Sequence, residues 1–136
     1  MWWAILAYAG DREIASEAVA EAFAQLLRRG DGVRAPDRWA WRAVFRIAAG
    51  ELARRRRDGP AVPQVPAELP GEAVELLDAL GRLPLKQRAA VVMHHLHGYR
   101  VREIADAIGS TPAAVKVHLS RGRKRLRTLL EESDDV

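Results

Sequence analysis

Eight lysines and arginines fall between Arg100 and Arg127, with Glu103 and Asp106 as the acidic residues of that stretch. Guanidinium and ammonium groups at this density bind phosphate, and a guanidinium on the leading turns of a helix also matches the acceptor edge of guanine. The whole chain balances 22 Lys and Arg against 18 Asp and Glu, a net charge of +4, so the positive charge is concentrated in this segment. A second cluster, His94, His95 and His97, raises metal chemistry. On a single helix, however, His94 and His97 share a face while His95 points elsewhere, and no neighbouring carboxylate completes a ligand set. A metal site needs ligands converging from several elements, which leaves a histidine-metal enzyme as a distant alternative. There is no cysteine, which excludes thiol nucleophiles, cysteine zinc sites and disulfides. No glycine-rich phosphate loop, nucleophile elbow or paired carboxylates stand out. The chain reads as no enzyme, with no catalytic residue, no metal and no cofactor expected.

The basic segment has the punctuation of two short helices joined by a tight turn. Val101, Ile104, Ala105 and Ile108 repeat at helical spacing and leave Arg102, Glu103 and Asp106 to water. Gly109 supplies the left-handed residue that ends this helix. Thr111 is a good N-cap and Pro112 suits the first position of the next helix, where its missing N–H is not needed. Val115, Leu119 and Leu126 then form a buried side, and Lys116, His118, Ser120, Arg121, Arg123 and Lys124 occupy much of the remainder. This is the pattern of a helix-turn-helix whose second helix enters the major groove. A solvated basic helix is the bland alternative; the capped two-helix pattern and the charge concentration both weigh against it.

The remainder also reads as helix, giving an all-α fold. Apolar spacing predicts helices from the start to about Ala9, and from Arg12 to Arg28 with Ile14, Ala18, Val19, Ala22, Phe23, Leu26 and Leu27 as its stripe. Another begins after Pro36 and ends in Arg54, Arg55, Arg56 and Arg57, where four cations exceed what a helix C-terminus asks for. Residues 58–71, with four prolines, read as an extended linker. Beyond it, helices over Glu72 to Gly81, with Val74, Leu77 and Leu80 inward, and over Pro84 to His97 complete a four-helix unit with the helix-turn-helix. The expected organisation is two small helical domains, 1–57 and 72–130, joined by the 58–71 linker and followed by an acidic tail at 131–136. The apolar run from Trp2 to Ala9 is too short to span a bilayer and has no basic leader, so a cytoplasmic protein without membrane insertion is expected.

With those residues in view, the chain resembles the extracytoplasmic-function class of RNA polymerase sigma factors. The stretch LPLKQRAAVVMHHLHGYRVREIADAIGSTPAAVKVHLSRGRKRLR is similar to the family's C-terminal domain, and GDREIASEAVAEAFAQL to its polymerase-binding helix. The resemblance implies that the protein directs core RNA polymerase to promoters. The first domain would bind the β′ clamp helices and the downstream (−10) element, and the second would lie on the β flap and read the upstream (−35) element. Carried across by position, Thr111, Lys116, Val117, His118, Ser120, Arg121, Arg123 and Lys124 would meet upstream DNA. Trp39, Arg46, Arg54, Arg55, Arg56 and Arg57 would meet the downstream element, by stacking on unpaired bases or by tracking phosphates. Glu17, Glu21, Phe23 and Gln25 would face polymerase, although Phe23 by residue type alone is more often a core side chain. Trp41 is expected in the core. An anti-sigma protein is a further candidate partner.

The sequence departs from the family pattern at several points. It enters the first helix at Trp2, where members usually carry a further helical segment, so a shortened first domain is expected. Arg100 stands where a serine-like cap is usual, Ser110 where an apolar residue is usual, and Gly50 where asparagine is common. Gly122 lies inside the recognition helix, where glycine costs up to about 1 kcal/mol relative to alanine. The rival functions are a helix-turn-helix regulator of the response-regulator type, for which no phosphoacceptor domain precedes the linker, and a degenerate sigma-like protein that does not open promoters.

Overall fold

The computed structural model describes residues 1–57 and 68–134. Among these residues every regular element is helical: α1 (Trp2–Ala9), α2 (Arg12–Arg29), α3 (Pro36–Arg57), α4 (Gly71–Gly81), α5 (Leu85–Val91), α6 (Val101–Ile108) and α7 (Pro112–Asp134). The expected linker core, residues 58–67, lies outside the described residues, as do 135–136. α7 runs through the start of the expected acidic tail and reaches Asp134. No helix among the described residues is long and apolar enough to cross a membrane.

The amino-terminal helices are set by small residues. Ala15, Ala18 and Ala22 are fully buried along α2 beside Ile14, which allows α2 to lie close to α1 and α3. The Asp11 carboxylate caps α2 by accepting from the backbone N–H groups of Glu13 (2.8 Å) and Ile14 (3.1 Å). Phe23 and Leu27, expected on the buried stripe, instead face outward at 44% and 81% exposure. The alanines already fill the contact with α1 and α3, so this second apolar edge of α2 has nothing to pack against.

In the other half, Leu80, Leu83, Ala89, Val92, Met93, Ile104, Val115 and Leu119 close a core between α4, α5, α6 and α7. Val74, expected to point inward, is 41% exposed, because the inner face of α4 is formed by Ala79 and Leu80. After Val91 the helix widens into a π turn over Val92–Leu96. That turn rotates the histidines away from a regular helical phase. The His94 Nδ1–H donates to the Tyr99 carbonyl at 3.0 Å, His95 faces outward, and the His97 ring lies 4.5 Å from that of Trp41. No group of three or more metal-ligating side chains occurs among the described residues.

The buried side chains of both halves form one contiguous cluster. Trp41, expected within the amino-terminal core, is half-buried at the seam. Its ring stacks on Phe45 (6.1 Å) and meets Tyr99 edge-on (5.6 Å), while Phe45 contacts Tyr8 (5.1 Å). Burial, and then the positive charge of the chain's amino terminus, hold the His97 imidazole below its usual range. The folded state therefore disfavours protonating it, and below about pH 6.5 the unfolded chain binds more protons at this residue. Stability should fall as pH drops from that point and level off once the folded-state value is passed. Urea unfolding between about pH 7.5 and 5.5 should show a shallower decline in His97→Gln than in the parent chain, and parallel curves would contradict this.

Candidate nucleic-acid interface

The turn between α6 and α7 is built from local hydrogen bonds. Gly109 is left-handed (φ 66°) with its N–H on the Ala105 carbonyl, and the Ser110 N–H shares that acceptor at 2.8 Å. The Thr111 hydroxyl accepts from the Ala114 N–H at 3.1 Å and starts α7. At the opposite end of α6, the Glu103 carboxylate accepts from the Arg100 N–H at 3.1 Å. This is the acidic half of a capping box, so the helix is capped although Arg100 offers no side-chain acceptor.

Val115 and Leu119 anchor α7 in the core, and Lys116, Val117, Ser120, Arg121 and Lys124 are exposed around its outer side. His118 is half-buried and Thr111 is exposed. Arg123 stands apart from this group. Its Nε–H reaches the Leu119 carbonyl at 3.3 Å, and its side chain lines an apolar groove of about 370 Å³ with Leu76, Val92, His95, Leu96 and Leu130. Sequence reasoning missed the groove, because the π turn and the outward Leu96, 53% exposed, help to form it. Gly122 is buried: a Cβ there would lie 2.8 Å from Val91 Cγ2 and 3.3 Å from the Gln87 carbonyl oxygen. It is a point of close approach between α5 and α7.

The residues expected at the downstream element do not form one surface. Trp39 is half-buried with the Arg29 guanidinium 5.4 Å from its ring centre. Arg46 is exposed on the rim of a cleft of about 410 Å³ floored by Tyr8, Phe45, Leu85 and Ile108. Arg54 pairs with Glu51 on its own helix. Arg55, expected either on phosphate or solvated, instead donates to the buried Asp11 carboxylate at 2.7 Å, with Glu13 at 3.6 Å. It thus ties the end of α3 to the cap of α2. The side chains of Arg56 and Arg57 lie outside this description. On α2, Glu17, Glu21 and Phe23 are exposed and Gln25 is half-buried. The Gln25 amide donates to Glu21 at 3.0 Å, and this bond, with the nearby Arg28, holds the Glu21 carboxyl below its usual range.

Residues 73–126, which contain α6, the turn and most of α7, match the family described as sigma-70, region 4. Relatives of that region include the ECF RNA polymerase sigma factor SigM of Mycobacterium tuberculosis, 41% identical over 58 residues, and the RNA polymerase sigma factor CarQ of Myxococcus xanthus, 40% identical over 57. These alignments take in 43% and 42% of this chain but only 30% and 33% of the respective relatives. The fold is shared more widely. It matches the sigma factor RpoE from Bartonella quintana, solved in complex with the anti-sigma factor NepR, with a TM-score of 0.85 over 96% of this chain and 89% of that one, at 18% identity. The region 4 helix-turn-helix is therefore set within an all-α fold that extends to the amino-terminal helices.

Proposed function

We propose that the protein is a sigma factor of the extracytoplasmic-function type, which joins core RNA polymerase in the cytoplasm and directs it to a restricted set of promoters without covalent chemistry of its own. The observation that carries this reading is the capped α6–turn–α7 unit within the region 4 match, presenting Lys116, Val117, Ser120, Arg121 and Lys124 on its outer side. Helix α7 reads the upstream element, with Arg121 or Lys116 on guanine or phosphate and Val117 available for a thymine methyl. Thr111, His118 and Arg123 lie at the margins of this surface. Residues 1–57 serve polymerase and the downstream element, and residues 72–130 serve the flap and the upstream element.

Two apolar surfaces fit the polymerase contacts. The outward Phe23 and Leu27, one helical turn apart on α2, suit the β′ clamp helices, and Glu17 and Glu21 are exposed on a different side of the same helix. The groove at Leu76, Leu96 and Leu130 suits an apolar element of the β flap. At the downstream element Trp39 and Arg46 are the available stacking and cationic groups. The structurally similar RpoE was solved in complex with an anti-sigma factor, and an inhibitor of that kind is a candidate partner here.

The deciding experiment is transcription by purified core polymerase, with and without the full chain, on promoters from its own genome. New start sites support the reading. Polymerase binding without transcripts would indicate a degenerate sigma-like protein, and no polymerase binding would leave a helix-turn-helix regulator. Arg121→Ala should weaken specific upstream binding by about 1–3 kcal/mol if the guanidinium makes a bidentate base contact. Competition between cognate and scrambled duplexes checks this, and an unaltered preference would remove Arg121 from the base-reading set.

A further inference from the structure

Helix α3 carries Arg38, Arg42 and Arg46 at successive four-residue intervals, which places three guanidinium groups along one face. The first two are already engaged by α6. Arg42 is ion-paired and hydrogen-bonded to Asp106, and Arg38 lies 3.9 Å from Glu103. Arg46, the third, has no ion-pair partner among the described residues. Sequence reasoning singled out Arg46 alone.

We propose that Arg38, Arg42 and Arg46 form a phosphate-binding ridge for nucleic acid, and that Glu103 and Asp106 of the helix-turn-helix mask it by occupying the positions of two phosphates. The proposal rests on the sigma-factor reading, in which α3 faces promoter DNA. Three features of the contact favour an exchangeable mask over a fixed structural bridge. The Arg38 and Arg42 side chains remain 72% and 43% exposed, so a phosphate reaches them from solvent. The Arg42 Nε is buried without a hydrogen-bond partner among the described residues, so the carboxylate only partly satisfies that guanidinium. A cleft of about 210 Å³ lined by Arg38, Arg42, Arg102 and Asp106 also remains open between α3 and α6, so the polar seam is loosely packed. Exposed pairs of this kind contribute little to stability and are screened by salt, so a polyanion competes with them readily.

The test measures fluorescence anisotropy of the full chain with a labelled, mixed-sequence single-stranded DNA of about 30 nucleotides, at about 0.05 and 0.2 M salt. The double substitution Glu103→Gln with Asp106→Asn removes the masking charges, and the carboxamide oxygen introduced by Glu103→Gln retains an acceptor that caps α6. It should tighten binding about threefold to tenfold at the lower salt. A control that removes equal charge from α4, Glu72→Gln with Glu75→Gln, should change it less than about twofold. In an Arg38→Ala, Arg42→Ala background, affinity should be lower and the α6 substitutions should have no further effect. An equal gain in the α4 control, or a gain that survives loss of the arginines, overturns the proposal. Failure of the sigma-factor reading appears separately, as absent transcripts with core polymerase, so the two outcomes are told apart.

Discussion

Replacing Arg88 with methionine is expected to lower the free energy of unfolding by about 3 kcal/mol, which corresponds to a fall of roughly 10 °C in Tm for a chain of this size. Arg88 is the most deeply buried arginine among the described residues, at 6% exposure. Its guanidinium donates to the carbonyls of Tyr8 (2.7 Å), Gly81 (2.9 Å) and Leu83 (3.0 Å). The first of these belongs to the last turn of α1, where unpaired carbonyls concentrate negative partial charge, the second ends α4, and the third lies in the connection from α4 to α5. One cation thereby joins the amino-terminal helix to the carboxy-terminal half. Methionine conserves most of the volume but leaves buried acceptors unmade, and that unmet hydrogen bonding dominates the loss. Lysine should recover only part of it, since a single ammonium lacks the planar fork that reaches two loops at once. Thermal unfolding followed by circular dichroism checks both variants; a methionine variant as stable as the parent would show that water satisfies those carbonyls equally well.

Gly122→Val should destabilise the fold by about 3 kcal/mol and should also weaken upstream DNA binding. Helix propensity alone predicts the opposite sign, because glycine inside a helix costs up to about 1 kcal/mol relative to alanine. The approach of α7 to α5 reverses that. A Cβ 2.8 Å from Val91 Cγ2 and 3.3 Å from the Gln87 carbonyl oxygen forces the helices apart, and Val91 is β-branched and 4% exposed, with little room to yield. Gly122→Ala should therefore still be destabilising, by about 1 kcal/mol net. Combining it with Val91→Ala should recover part of the loss, giving a favourable coupling energy in a double-mutant cycle of urea unfolding. Additive losses would place the strain on the Gln87 backbone instead. Because α7 carries both Gly122 and the side chains proposed to face DNA, displacement of the helix also moves Lys116 and Arg121 relative to α6.

Much of the candidate site was legible in the sequence because its determinants are local. Gly109, Thr111 and Pro112 act on their own backbone neighbours, so the turn between α6 and α7 follows from residue type and order alone. The burial of Val115 and Leu119 follows from helical period. Residues whose partners are distant in sequence were not legible. Arg55 looked like one of four equivalent arginines until Asp11, 44 residues away, proved to hold it. Gly122 looked like a flexible defect until α5 proved to fill the space beside it. Phe23 and Leu27 looked like core positions because periodicity reports only that a face is apolar.

Apart from the π turn after Val91 and the extension of α7 to Asp134, the sequence by itself determined that the chain is helical, where its helices start and stop, and that a capped, basic helix-turn-helix lies near its carboxy end. These are consequences of backbone preferences, capping chemistry and the 3.6-residue period, each of which acts within a few residues. The tertiary structure decided which apolar faces stay exposed, which arginines are held in ion pairs, and that the two halves share one core through Arg88 and the Trp41 aromatic cluster. Those outcomes depend on which surfaces meet, and an ion pair or a close helix approach between distant segments leaves no periodic mark in the chain.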